Sequence, residues 1–335
     1  MKYQNTLNGD KIQCTICPRN CKLKEGQRGF CHVRKNVDGE ICLTTYGYNT
    51  GLAIDPIEKK PLYHFYPQSK VLSFGTLGCN MGCAFCQNWQ TTKSKADPTQ
   101  LHSASPKKIA ELAIEHGCKS VAFTYNDPVI FYEYAIDTAI ECHKKGIKTV
   151  AVTAGYINPE PRKEFFKHMD AVNVDLKAFN DEFYKRNCLA GLDPILDTIK
   201  YIKNETNCWM ELTTLLIEGE NNFEDELQNE CKWIVDNVGV DTPLHFSAFH
   251  PDYKFLDRKP TKLSTLLKAY DIAKKAGLRY IYIGNVLNTK TSTTYCHGCL
   301  KAIIKRDGYQ VLEYNLENGN CKFCGTKCSG AFEEY

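Results

Sequence analysis

An α/β partial barrel of the (β/α)6 type, with a Cys-rich N-terminal extension and a zinc-ribbon-like C-terminal extension, is the fold this sequence predicts. Three observations predict it. Short β-branched runs alternate with helix-periodic stretches between about residues 71 and 284, the 18 cysteines fall mostly in three clusters, and the composition is that of an ordinary folded chain. With 335 residues, 43% apolar and 24% charged, the chain can bury a full core and is not disordered. A net charge of 42 − 39 = +3 recruits neither nucleic acid nor an acidic membrane. No apolar run approaches the ~18 residues of a membrane span, and the opening MKYQNTLNGD lacks the apolar stretch of a signal peptide. A cytoplasmic location is expected.

The strands are expected at Val71–Leu77, Ser120–Thr124, Thr149–Thr153, Ala171–Leu176, Trp209–Ile217, Leu244–Phe249 and Tyr280–Ile283. Between them, helical periodicity marks stretches such as Pro106–His116, Val129–Lys145, Ile195–Asn204, Phe223–Val238 and Thr261–Ala276. Ser105-Pro106 before the first of these and Gly117 after it are start and stop signals. Strand, helix, strand at this spacing implies βαβ units and a parallel sheet. Six or seven repeats fall short of a closed eight-strand barrel and fit an open or partial one; an open doubly wound sheet is the alternative. The expected divisions are a Cys-rich extension over 1–70, a core over 71–288 and a small module over 289–335. The first 70 residues carry 11 Lys/Arg against 6 Asp/Glu, a surplus read as a solvated face.

The cysteines carry the chemistry. A large chain in a reducing compartment has no need of disulfides, and clustered thiols at gaps of two or three residues have metal-ligand spacing. One cluster holds Cys14, Cys17, Cys21 and Cys31, with Cys42 at its margin; a second holds Cys79, Cys83 and Cys86; the third holds Cys296, Cys299, Cys321, Cys324 and Cys328. Cys118, Cys142, Cys188, Cys208 and Cys231 stand singly and read as small buried hydrophobes. In the central cluster, Gly78 and Gly82 argue against a helix that would line up positions 79, 83 and 86 as a core stripe. They suit a loop wrapped around a bulky group where a parallel strand ends. Zinc in a structural site takes four ligands, and so usually does a four-iron cluster. Three thiolates leave one iron open to bind something else.

Cys79-x3-Cys83-x2-Cys86, with Phe85 before the third cysteine, resembles the signature of the radical S-adenosylmethionine superfamily. Asp55-Pro-Ile-Glu-Lys-Lys-Pro-Leu-Tyr-His-Phe-Tyr-Pro67, Phe85-Cys-Gln-Asn-Trp89, Asp175-Leu-Lys-Ala178, His245-Phe-Ser-Ala-Phe-His-Pro-Asp-Tyr253 and Tyr280-Ile-Tyr-Ile-Gly-Asn285 are similar to one branch of it. That branch is the AmmeMemoRadiSam system enzymes, relatives of pyruvate formate-lyase activating enzyme, and the resemblance spans essentially the whole chain. It implies a [4Fe–4S] cluster on the three cysteines whose open iron chelates S-adenosylmethionine. Reductive cleavage would then give a 5′-deoxyadenosyl radical that takes hydrogen from an unidentified substrate. It further implies a flavodoxin or ferredoxin as electron donor, and Memo-type and AMMECR-type proteins as partners.

Carried over position by position, the resemblance assigns Phe85, Asn126, Asp127, Thr153, Gly155, Asp175, Lys177 and His250 to the cofactor, with His245 as the alternative to His250. Two departures stand out. Asp127 occupies the place of a family Glu, one methylene shorter, and Ala154 replaces an Asn between Thr153 and Gly155. At the C-terminus, Cys296-x2-Cys299 and Cys321-x2-Cys324 are knuckles 21 residues apart, close to zinc-ribbon spacing. At the N-terminus, Cys14, Cys17, Cys21 and Cys31, with His32 as a further donor, suit zinc or a second cluster. Alternatives to the broad reading are a glycyl-radical enzyme activase, a radical enzyme acting on RNA, and a zinc-ribbon nucleic-acid scaffold.

Overall fold

Parallel strands stand side by side in chain order in the computed structural model, which describes residues 2–7, 10–286 and 288–332. They are β1 Lys70–Phe74, β2 Ser120–Phe123, β3 Lys148–Thr153, β4 Ala171–Asp175, β5 Trp209–Leu216, β6 Leu244–Ala248 and β7 Ile281–Gly284. Six helices connect them: α1 Pro106–Glu115, α2 Tyr132–His143, α3 Pro159–Lys167, α4 Asp193–Glu205, α5 Glu224–Asn237 and α6 Leu263–Lys275. β2 is buried at every residue and β1 at all but Lys70, as strands covered on both faces must be. α1 starts where Ser105 accepts a hydrogen bond from the Lys108 amide with Pro106 in the first turn. α4 buries Ile195, Thr198, Ile199 and Ile202, one face of a 3.6-residue repeat. The expected helix from Val129 opens instead as a 3-10 turn, Pro128–Phe131, because Asp127 caps the Val129 amide before α2 begins.

The order β1 to β7 never reverses, so the doubly wound alternative, which needs a switch point, does not hold. The sheet also does not close. Its β1 edge is covered by an antiparallel strand, Leu52–Pro56, inside the stretch read as an extension. Its β7 edge is met by the C-terminal module. There the strands Ala302–Asp307 and Gln310–Tyr314 form an antiparallel pair, and Ile303, Ile304 and Leu316 pack on Tyr63, Tyr280 and Tyr282. The fully buried Arg306 donates to the Tyr63 carbonyl at 2.6 Å, and its Nε lies 3.6 Å from buried Glu58. The N-terminal segment is likewise no appendage, since Ile12, Ile16, Leu23, Val33 and Ile41 share one core with the barrel. The five single cysteines are all buried, as expected. Among the described residues, no helix is long and apolar enough to cross a membrane.

One core carboxyl sets a pH dependence. Glu230 of α5 is buried against β5, where the Thr214 hydroxyl donates to it. Burial pushes its pKa up from the ordinary 4.5 to about 8, with Glu226 adding to the rise. Between those values the folded chain keeps a proton that the unfolded chain releases, so stability falls as pH rises through this window. Glu230→Gln should remove that slope and stabilise the chain at pH 8 by on the order of 2 kcal/mol. Urea unfolding at pH 5 and pH 8 checks it; equal slopes in both proteins would refute it.

Candidate active site

The C-terminal ends of the strands open into a cavity of about 430 Å3. Alternate residues of successive strands line it: Asn173 and Asp175 of β4, Thr213 and Leu215 of β5, His245 and Ser247 of β6. The period of two aims each pair at the same concave face. Over this face lies the loop after β1, which adds Cys79, Cys83, Phe85 and Cys86 to the wall.

Between residues 75 and 88 that loop has no helix or strand of its own, so its polar backbone is held by neighbours. Asn126 accepts from the Thr76 amide at 3.1 Å and donates to the Gly78 carbonyl at 2.9 Å. The Gly82 and Ala84 amides donate to the carbonyls of Cys188 and Asn187, both at 2.8 Å. Lys93 Nζ donates to the Met81 carbonyl at 2.7 Å. Gly78 has φ +81°, and a Cβ there would sit 2.0 Å from the Cys31 carbonyl oxygen, so the close approach requires glycine.

The three thiols differ electrostatically. Burial pushes Cys79 up to about 12. Cys83 is drawn down to about 6, first by a hydrogen bond from the Cys188 thiol and then, against burial, by Lys177 and Lys93. Cys188 bonds Cys83 here, although it stands singly in the sequence and no spacing links it to residue 83. Lys177 Nζ lies 3.0 Å from Asp175 Oδ2, and both line the cavity. Burial opposes the lysine's charge, but Asp175 and the Cys83 and Cys188 thiols outweigh it and hold its pKa well above the ordinary value.

The other expected residues fall into two groups. Asn126, Asp127 and Thr153 are in the cavity wall, but Asp127 is already engaged there. Its Oδ1 accepts from Val129 N and Thr153 Oγ1, and its Oδ2 from Ala154 N, all at 3.0 Å. The carboxyl ties the end of β2 to the end of β3, and burial raises its pKa despite these bonds. Asn126 likewise commits its amide to the cysteine loop. Gly155 lies outside the wall: at φ +69° it turns the chain, and a Cβ there would meet Val174 at 3.3 Å. His250 also lies outside it, exposed two residues past the end of β6. The inward positions of β6 are odd-numbered, so His245 lines the cavity, its Nε2 2.7 Å from Glu211 Oε2. Lys60, Tyr125 and Tyr309, none of them assigned from the sequence, also line the cavity.

Two further thiol sets lie elsewhere. The Sγ atoms of Cys296, Cys299, Cys321 and Cys324 all lie within 4.8 Å of one another, with cross pairs at 3.6 and 3.7 Å, the spacing of a tetrahedral four-thiolate ion site. Cys328 stands apart, 3.8 Å from His64 Nδ1. Among the described residues this is the one such tight group; neither the central three nor the N-terminal four gather so closely. The central thiols instead spread over one cavity wall, which suits a body larger than a single ion.

Three thiols of one loop thus stand at the rim of a singly wound βα sheet, beside a half-buried Asp–Lys pair. Residues 74–229 match the radical SAM superfamily. The chain is 41% identical to an uncharacterised protein of Methanocaldococcus jannaschii over 97% of both chains. It is 28% identical to pyruvate formate-lyase-activating enzyme of Clostridium pasteurianum, over 57% of this chain and 87% of that one. A radical SAM methyltransferase from Sphaerobacter thermophilus superposes with a TM-score of 0.50 at 14% identity, covering 66% of this chain and 68% of that chain; at that identity the likeness is one of fold. The chain belongs to the radical S-adenosylmethionine superfamily and is similar within it to pyruvate formate-lyase activating enzyme. It is therefore an enzyme of the iron–sulfur and S-adenosylmethionine class.

Gly78→Ala should cost the chain more than about 3 kcal/mol even without metal, because the new Cβ meets backbone at a strained φ. Gly191→Ala, three residues past Cys188, meets nothing closer than 3.7 Å and should cost under about 1 kcal/mol. Urea unfolding of both variants tests the contrast, and equal losses would refute it.

Proposed function

We propose that Cys79, Cys83 and Cys86 hold a [4Fe–4S] cluster with one iron open, and that S-adenosylmethionine binds in the adjoining cavity. The observation that carries this reading is that three thiols of one loop and the Asp175–Lys177 pair share a single cavity wall. The chemistry such a pair of groups supplies when bound is one-electron cleavage of a sulfonium, followed by removal of a hydrogen atom from substrate. The chain's own residues bind and orient. Lys177, kept cationic by Asp175, is placed to pair with the cofactor's carboxylate. Cys83, drawn below the ordinary thiol range, is ready to ligate as thiolate. Asp127 and Asn126 act as positioning residues, fixing the β2–β3 rim and the cysteine loop. The Cys296, Cys299, Cys321 and Cys324 quartet is proposed to hold zinc, which would fix a module too small for a sizeable core. Similarity to an activating enzyme favours, as the second reading, a substrate that is itself a protein.

The test uses anaerobic, iron-reconstituted protein with dithionite and S-adenosylmethionine. Wild type should release 5′-deoxyadenosine and Cys83→Ala none; no product from a wild type that carries its cluster would overturn the reading. Lys177→Met should weaken S-adenosylmethionine binding about tenfold by calorimetry, as loss of a charge-assisted contact predicts. An unchanged Kd would remove Lys177 from the site.

A further inference from the structure

One layer of the cavity wall carries polar atoms that the proposed cofactor site does not use. Asn173, Thr213 and His245 each stand one inward position before Asp175, Leu215 and Ser247, so they lie a layer deeper on β4, β5 and β6. All three are buried. In the sheet Thr213 stands opposite His245, and Asn173 opposite Glu211, so the three side chains form one patch.

Each of them has one polar atom left over. Asn173 Nδ2 donates to the Pro61 carbonyl at 2.8 Å, while its Oδ1 has no partner among the described residues. Thr213 Oγ1 has none either. Glu211 accepts from the amides of Tyr63 and His64 and from the Trp209 indole N–H, at 2.8 to 3.0 Å, so both its oxygens are acceptors. The proton in its 2.7 Å contact with His245 therefore sits on Nε2. Nδ1 is then the lone-pair nitrogen of the neutral ring, and no described residue bonds it. Buried polar atoms without partners weaken a fold, and three side by side on a cavity wall point to a ligand that bonds them.

Their chemistry selects that ligand. Oδ1 and Nδ1 only accept, and the hydroxyl accepts or donates, so the occupant is rich in donors. Lys59 and Lys60 both meet Asp55, and Lys177 is taken up by Asp175 and the proposed cofactor, so a phosphate or carboxylate finds no free cation here. A peptide backbone brings one carbonyl for almost every N–H, and in this layer only the Thr213 hydroxyl can donate to it. The layer also shares its cavity of about 430 Å3 with the cofactor, so the occupant is small. We propose that Asn173, Thr213 and His245 form a subsite for a small polyol or amino alcohol, accepting its hydroxyl or ammonium hydrogens, and that this molecule is the substrate. Its being the substrate rests on the function proposed above; the subsite does not.

The probes are meso-erythritol and ethanolamine for the donor-rich class and N-acetylglycinamide for a peptide backbone. Saturation-transfer NMR measures their binding to the anaerobically reconstituted full chain and to Cys79→Ala/Cys83→Ala/Cys86→Ala. At least one of the first two should bind both proteins, and N-acetylglycinamide neither. Thr213→Val should weaken that binding about fivefold, as loss of one hydrogen bond predicts. The same variant should raise the urea midpoint of the ligand-free chain, because it removes an unpartnered hydroxyl and breaks no bond. A lowered midpoint would show that Thr213 is structural and overturn the inference. So would no binding of erythritol or ethanolamine, unchanged binding in Thr213→Val, or preferential binding of N-acetylglycinamide, which would indicate a peptide substrate. Probe binding by a cluster-loaded wild type that forms no 5′-deoxyadenosine would leave the subsite standing and remove the central reading.

Discussion

A loop with no secondary structure has to hold three thiols at fixed positions, and most of what surrounds the cavity answers that requirement. Buried backbone groups left without partners cost as much as lost hydrogen bonds, so each amide and carbonyl from Gly75 to Asn88 needs a donor or acceptor from outside. Asn126 serves the start of the loop, Lys93 bonds the Met81 carbonyl, the carbonyls of Cys188 and Asn187 accept from the Gly82 and Ala84 amides, and the Lys254 amide bonds the Ala84 carbonyl. These partners come from the loop after β2, from Lys93 just past the cysteine loop, from the turn after β4 and from the segment after β6. The barrel is the frame that brings such distant segments to one rim, and its core packing is what keeps the loop's geometry.

The barrel in turn depends on how its open side is covered. A parallel sheet that stops short of closure exposes an unpaired edge at β7, which favours pairing with other chains. Here the edge residues are aromatic and buried: Tyr280 and Tyr282 pack beneath Ile303 and Ile304, and His64 Nε2 lies 2.5 Å from the Tyr282 hydroxyl. Glu211, fully buried on β5, accepts from the amides of Tyr63 and His64 and bonds His245. A chain of polar contacts therefore runs from the C-terminal module through the segment at 63–64 to the cavity wall. Buried charge so placed is costly to disturb, because removing one partner strands the other. The module is thus part of the barrel's wall, and its Tyr309 lines the cavity.

The strands were legible because parallel strands buried on both faces read as unbroken β-branched runs, and the cysteine loop was legible because ligand spacing is local. Other features depend on chain-distant partners. The edge strand Leu52–Pro56 is half-exposed and ends in proline, so its sequence carries no strand signal strong enough to stand out. Cys188 looks like any isolated cysteine until the turn after β4 folds back onto Gly82. His245 and His250 differ in strand parity, which follows only once the inward face of β6 is known. The covering of the β7 edge by the C-terminal module leaves no pattern in the sequence, since it concerns which surface a small domain meets.

The two departures from the family pattern form a single arrangement. A glutamate at 127 would carry its carboxyl one methylene further from the backbone. Aspartate is short enough to fold back, where Val129 N, Thr153 Oγ1 and Ala154 N all reach it. The Ala154 contact uses only its backbone amide, so no side chain is needed there, and an asparagine amide at 154 is not missed by the wall. The short carboxylate fixes the β2 and β3 ends relative to each other, and Asn126, its neighbour, is thereby fixed over the cysteine loop. Asp127 thus contributes to the site by stiffening the rim from which Asn126 reaches the loop. The cation that faces the cavity beside the thiols is then Lys177, on β4's outgoing turn, held by Asp175.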